Sequence, residues 1–278
     1  MGHWLWGFKM SAAFDGQASG PSRFASNLLD LLDRVEYRRV TADEQFDPVY
    51  RLRYEAYRRE EFIPFNSAQI VRDEFDDLDN AYCFGVYIDG VLVSSVRFHY
   101  LTAAKPNSPS YSVFPDVLQP LLDGGATILD PGRFTADFEA SLAFPALPYL
   151  TLRLPTIAVQ YFNVRYVLST VRPEHAAFYR RIYRSTIIGA ERYYHGLSFP
   201  MVLMACDIDV MYQDLLRRYP FFRSTPDERQ RLFGDAGRSP LSLIRPSARA
   251  AQPEALAEPQ ANGPGPDQAS GIQTIIDP

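Results

Sequence analysis

Residues 128–138 read ILDPGRFTADF, with Ile128, Leu129, Phe134 and Phe138 placed for a half-buried strand and Pro131-Gly132 interrupting it. Proline removes a ladder donor and glycine weakens a strand interior. Asp130 stands just before the break and Arg133 just after it. An opening of this kind frees backbone N–H groups and lets a ligand pair with the strand edge. The flanking charges then either grip that ligand or brace the gap. Further charges recur nearby. Tyr50, Arg53, Tyr54 and Tyr57 fall at helical spacing, so one helix face carries three tyrosines and an arginine. DEFDD supplies Asp73 and Asp76, and SSVRFHY places Arg97 near a strand end.

These side chains need a scaffold, and the pattern supplies one. Helices are expected over 22–35, with Phe24, Leu28, Leu31, Leu32 and Val35 on one face, and over 43–62, with Pro48 in the first turn. YRRV (37–40) reads as a short strand. AYCFGVYI and VLVSSVRFHY, joined by Asp89-Gly90, read as a hairpin with a type I′ turn. SVFPDVLQPLL reads as a short helical or irregular connection before the interrupted strand. Leu150, Leu154, Ile157, Ala158 and Tyr161 share a helix face, with Pro155 marking a start or a kink. A strand over 165–173, a helix over 173–185, two more strands and a helix over 210–222 complete the order. This order predicts a mixed α/β sheet with helices on both faces. Residues 21–223 form the expected domain, 1–20 a flexible leader, and 224–278 a Pro/Ala/Gly-rich extension, largely disordered from about 245.

The 278 residues are 46% hydrophobic and 14% aromatic, enough for a core and, beyond it, for an apolar cavity lining. A net charge of −5 argues against a nucleic-acid partner. Cys83 and Cys206 sit in apolar runs and read as small core residues. His3, His99, His175 and His195 show no ligand spacing, so no metal is expected. No run approaches the roughly 18 apolar residues of a membrane span. HWLWGF in the leader offers at most weak contact with a membrane surface, and a cytoplasmic location is expected.

The order of elements resembles the GNAT acyltransferase superfamily. More narrowly, residues 36–207 resemble the N-acyl amino acid synthases, relatives of the acyl-homoserine lactone (autoinducer) synthases. The resemblance rests on Arg53 with Tyr57 four residues later, Asp73 and Asp76 before the hairpin, Arg97 ending a strand, and Asp130, Arg133 and Phe134 in DPGRF. STVRPEHAAFYRRIY also looks like the synthases. Two departures lean away from lactone synthesis. Autoinducer enzymes usually carry Glu where Asp130 stands, and a Trp where EEFIPFN offers only Phe62 and Phe65. The glycine-rich pyrophosphate loop of coenzyme A-using GNAT enzymes is missing from FEASLAFPALPYL.

The resemblance therefore implies a GNAT fold with a splayed or bulged fourth strand. It implies transfer of a medium- or long-chain acyl group from an acyl carrier protein thioester to the α-amino group of an amino acid. The acyl carrier protein is co-substrate and partner; acyl-CoA is the other donor the resemblance admits, and no tightly bound cofactor is expected. An autoinducer synthase, a CoA-dependent acetyltransferase and a catalytically dead lipid- or protein-binding fold are the alternatives. Arg97 and Arg133, then Arg53, are candidates to hold the acceptor carboxylate, with Tyr57 and Phe134 in the same substrate site. Asp73, Asp76 and Asp130 are candidates to hold the ammonium and help deprotonate it. Tyr179 falls where many GNAT enzymes place the acid that protonates the leaving thiolate, and is otherwise a core residue. RRIYR (180–184) is an ordinary helix face or a dock for an acidic carrier.

Overall fold

A computed structural model describes residues 22–194, 199–235 and 242–251. The expected leader, HWLWGF, His3, His195 and the chain beyond 251 lie outside the described residues. In chain order the helices are α1 (Arg23–Leu32), α2 (Pro48–Arg59), α3 (Pro109–Val113), α4 (Pro115–Asp123), α5 (Phe138–Ala143), α6 (Leu147–Phe162), α7 (Ala176–Tyr183), α8 (Ile208–Arg218) and α9 (Pro226–Phe233). The strands are β1 (Val35–Val40), β2 (Ala81–Ile88), β3 (Val91–Leu101), β4 (Ile128–Ala136), β5 (Tyr166–Val171), β6 (Thr186–Tyr193), β7 (Pro200–Asp207) and β8 (Leu243–Ile244).

Local chemistry sets the boundaries. Ser22 caps α1, its hydroxyl accepting from Ala25 N. Asp47 caps α2 and Pro48 takes the first helical position, so α2 starts there and not at residue 43. Asp89 and Gly90 both hold positive φ, 50° and 78°, as the predicted hairpin turn requires. Pro155 falls inside the 16-residue α6, which begins three residues earlier than the expected face. No helix among the described residues is long and apolar enough to cross a membrane.

The strands form one mixed sheet in the order β6-β7-β5-β4-β3-β2-β1-β8. Side chains alternate between its faces. Phe84, Phe98, Leu129, Val202 and Met204 pack with Leu150 and Leu154 of α6, and with α1, α8 and α9, in the larger core. Leu101, Ile128, Leu168, Leu203 and Ala205 turn to the opposite face and pack on Phe114, Leu118 and Leu122. On that same opposite face Val49 and Tyr50 of α2 cover Val40 and Cys83.

Among the described residues α5, α9 and β8 lie where the sequence offered no expected element. In α9, Leu232 and Phe233 are buried, and Ile244 of β8 pairs with Tyr37 of β1. Residues 245–251, expected to be disordered, instead lie against the fold: Ala248 is buried and Ser247 hydrogen-bonds Glu228 and Thr225. A few apolar anchors and one buried carboxylate suffice to order a segment whose composition is otherwise loop-like.

Candidate active site

β4 runs antiparallel to β3 along its length, but it pairs with β5 only at Ile128↔Tyr166 and Leu129↔Val167. Beyond Leu129 the two strands part. On the β3 side, Ser95 faces Thr135 and Arg97 faces Gly132, so Arg133 and Phe134 stand against the single residue Val96. This is a bulge with two residues opposite one. The positive φ belongs to Arg133, at 50°, and not to the neighbouring Gly132. Gly132 instead provides clearance, since a Cβ there would meet nothing within 4 Å. A left-handed non-glycine residue costs on the order of 1 kcal/mol, and the contacts of the Arg133 side chain offset it.

Those contacts are with the 3-10 turn Glu74–Asp76 that precedes the hairpin. Asp73 and Asp76 cap this turn reciprocally: Phe75 N donates to Asp73 Oδ1 and Asp73 N to Asp76 Oδ2, each at 3.1 Å. Three arginines converge on the pair. Arg53 donates to both Asp76 oxygens at 2.9 and 3.1 Å, and also reaches Cys83 Sγ at 3.1 Å. Arg97 lies 2.5 Å from Asp73 Oδ1 and 2.8 Å from Asp76 Oδ2. Arg133 donates from Nε to Asp73 Oδ2 at 3.1 Å and also from Nη2. Aromatic faces back each cation: Tyr50 behind Arg53, Phe75 behind Arg97 and Tyr57 behind Arg133.

Three guanidinium groups thus face two carboxylates. Burial alone would push the Asp73 carboxyl up, but Arg97 and Arg133 hold it well below the ordinary carboxylate range. Asp76 is likewise lowered against its burial by Arg53 and Arg97. Two carboxylates this strongly stabilised as anions are weak bases. The cluster keeps unused donors: the buried Nε atoms of Arg53 and Arg97 have no partner among the described residues. Arg53 and Asp76 are fully buried, whereas the Arg133 side chain is 26% exposed and lines a cavity.

Asp130 faces elsewhere. Its oxygens accept from Ser110 N at 2.9 Å and Ser110 Oγ at 2.6 Å, at the start of α3. An Asp130–Arg133 pair bracing the gap, one of the two expected arrangements, does not form, because Ser110 fills the aspartate and Asp73 takes the arginine. Burial pushes the Asp130 carboxyl up, with Ser108 and Ser110 opposing. Asp130 itself does not line the cavity. Ser110 Oγ connects it to Thr170 Oγ1 at 2.6 Å and to Tyr194 OH at 3.4 Å, and both of these do line it.

The cavity has a volume of about 330 Å³, within the range of small-molecule sites. Its polar end is bounded by Tyr57, Asp73, Phe75, Arg97 and Arg133. It passes through the sheet where β4 and β5 part, beside Pro131, Gly132 and Phe134, and continues among Leu152, Pro155, Val159, Met211 and Leu215. Tyr179 lies in this apolar arm, 7% exposed, against Phe178 and Tyr183. The structure therefore gathers Arg53, Tyr57, Asp73, Asp76, Arg97, Arg133 and Phe134 around the polar end, and sets Tyr179 and Asp130 apart from them. Ser110, Thr170 and Tyr194 carry no motif that would single them out in the sequence.

The site is a cation-rich pocket at the opening of a splayed mixed sheet, and the family to which the chain belongs makes it an N-acyltransferase. The sequence model of the family described as N-acyl amino acid synthase FeeM matches residues 48–207, and the chain belongs to that family. The structure of FeeM, an N-acyl amino acid synthase from uncultured soil microbes, superposes with a TM-score of 0.53 at 19% identity, covering 66% of this chain and 94% of that one. The acyl-homoserine lactone synthase LasI gives 0.49 at 15% identity, covering 66% and 93%. BjaI, a CoA-dependent acyl-homoserine lactone synthase with MTA, gives 0.49 at 15%, covering 66% and 89%. At these identities the likeness is one of fold. No curated protein matches the chain.

Proposed function

We propose that the protein joins a medium- or long-chain acyl group, delivered as an acyl carrier protein thioester, to the α-amino group of an amino acid. The observation that carries this reading is the charge imbalance at the mouth of an apolar cavity: three buried or half-buried arginines for two aspartates. An amino acid brings the missing carboxylate. Arg133, reaching the cavity with Nη1 engaged among the described residues by Tyr57 OH at 3.4 Å, takes it, with Arg97 behind. Asp73, ionised and at the same lip, holds the ammonium. An α-amino group titrates near 8, so its neutral form is within easy reach.

The acyl tail lies in the apolar arm, where each buried methylene contributes about 0.8 kcal/mol. On this reading the thioester carbonyl lies at the β4 opening. Backbone N–H groups released by the splay and the bulge face the developing oxyanion, and a single such donor is worth roughly 3 kcal/mol. The donor preference has its own support. The helix after β4 is capped by Asp137, whose carboxylate accepts from Ala140 N. An anion already occupies the helix terminus where a pyrophosphate would bind.

Incubation with dodecanoyl-acyl carrier protein, or with dodecanoyl-CoA, and an equimolar mixture of the twenty standard amino acids tests the reading by mass spectrometry. N-dodecanoyl amino acids, formed faster from the carrier protein, are expected. Lactones, or no acylated product from either donor, would sink it.

A further inference from the structure

The arm that takes the acyl tail is apolar along most of its length, but one of its walls carries hydroxyls. Tyr179 and Tyr183, one turn apart on α7, stack with ring centroids 6.3 Å apart, and both line the cavity. Ser185 and Thr156 of α6 line it beside them. Ser185 is 2% exposed, and its Oγ has no partner among the described residues. Helix capping does not account for that hydroxyl: α7 ends on the left-handed Arg184, and Ser185 is tied to the helix through its backbone N, which donates to Tyr179 O at 3.3 Å. Thr156 Oγ1 donates to Leu152 O at 2.7 Å, so in its 3.4 Å contact with Tyr183 OH it accepts. Tyr183 OH then keeps its lone pairs for another donor. One free hydroxyl and one free acceptor thus border the arm.

Strand register gives the depth of this wall. Ser185 immediately precedes Thr186, which pairs with Ala205 of β7. Ala205 and the next residue, Cys206, face Leu168 and Val167 of β5, and Val167 pairs with Leu129 of β4. Ser185 therefore lies level with the last contact between β4 and β5, where the splay closes. Gly132, at the opening, is three residues further along β4, roughly 10 Å away at the rise of a strand. A group on the carbon beside the thioester carbonyl stays at the opening, and a group toward the far end of the chain comes level with Ser185.

We infer that the acyl group this protein takes carries a hydroxyl toward its far end, and that Ser185 with Tyr183 is the subsite that binds it. This rests on the acyl-transfer reading above and deepens it by naming the acyl class. The hydroxyl of the chain accepts from Ser185 Oγ and donates to Tyr183 OH, so each group left open in the wall is satisfied. A plain chain leaves Ser185 buried and unpaired, which is costly. In an arm walled only by apolar groups the cost would fall on the hydroxylated chain instead. The sign of the preference between the two chains therefore reports what the wall is for. A site built to bond a substrate hydroxyl rejects the analogue lacking it more strongly than an apolar pocket rejects the hydroxylated one.

The test is read as binding, so that it does not depend on turnover. Full-length protein is titrated by calorimetry with N-dodecanoylglycine and with its ω-hydroxy and β-hydroxy analogues, which share one carboxylate for the arginines. Wild-type protein is expected to bind the ω-hydroxy compound about 10-fold more tightly than the plain one. The β-hydroxy compound should gain nothing. Ser185→Ala should bring the ω-hydroxy preference to unity or reverse it, because the buried hydroxyl then lacks its donor. Plain chain bound as tightly as the ω-hydroxy chain by wild-type protein, an equal gain for the β-hydroxy compound, a ratio unmoved in Ser185→Ala, or no binding of any of the three would each overturn the inference. Dodecanoyl- and ω-hydroxydodecanoyl-pantetheine, offered with the mixed amino acids, separate the two claims. No acylated amino acid from either, with the binding preference intact, would sink the acyl-transfer reading and leave the subsite standing.

Discussion

Two buried groups of arginine and carboxylate lie on opposite faces of the sheet, and they differ in how completely they are satisfied. Behind the sheet, Arg153 of α6 donates from Nε to Phe221 O at 2.8 Å, from Nη2 to Arg223 O at 2.7 Å, and with both Nη groups to Glu228 of α9. Glu228 Oε2 also accepts from Ser247 N and Oγ. Charges balance one to one. At the cavity mouth, three arginines share two aspartates, and two Nε donors have no partner among the described residues. A closed account of donors and charge marks a group that holds the chain together. An open one, beside a cavity, marks a place shaped for something the chain does not supply.

The largest effect expected from this contrast is on stability. Arg153→Met strands Glu228 in the interior and should cost about 3–5 kcal/mol in chemical denaturation. The double variant Arg153→Met/Glu228→Leu should recover most of it. A silent single variant would show that the pair is not the buried brace described.

The cavity cluster should respond the other way. Arg133→Ala leaves two arginines facing two aspartates, so stability should move by less than about 1 kcal/mol. Product formation should fall at least 100-fold, equivalent to about 2.7 kcal/mol of transition-state stabilisation. An unfolded variant, or one with full activity, would erase the contrast between the two groups.

The smallest effect concerns a further positive charge. His99 lies beside Arg97 and donates from Nε2 to Phe75 O at 2.9 Å. Burial, reinforced by Arg97, pushes its pKa down to about 3. Its folded pKa lies below the unfolded value near 6.5. The unfolded chain therefore binds the proton first, and stability is full above about 6.5 and declines as pH falls toward 3. Between pH 7 and pH 5.5 the loss should be roughly 1 kcal/mol. His99→Gln should flatten that slope in denaturation measured across pH; an unchanged slope would remove His99 as its source. The cluster has room for an anion and resists another cation.

Much of the fold was legible because its signals are local. The Asp89-Gly90 turn, Pro48 in the first turn of α2 and the Pro-Gly break each announce themselves within a few residues. The polar end of the site was legible for a different reason: Arg53, Asp73, Asp76, Arg97 and Arg133 stand in a recognisable order. Pairing was not. Asp130 and Arg133 are three residues apart yet choose partners 20 and 60 residues away, Ser110 and Asp73. The left-handed backbone fell on Arg133 and not on Gly132, because the side chain's ion pairs outweigh the residue's own preference. Arg153 and Glu228, 75 residues apart, carry no pattern at all. A polar residue inside an apolar helix face reveals only that a partner exists, not where it is.

The two-residue strand β8 lies along β1, which would otherwise be the rim of the sheet. A chain cut short of Leu243 would leave that rim bare, a row of unpaired peptide groups able to recruit a second molecule strand to strand. The short strand β8 covers Tyr37 and Arg38 of that rim, so its loss would lengthen the stretch of unpaired edge that a neighbouring strand could join.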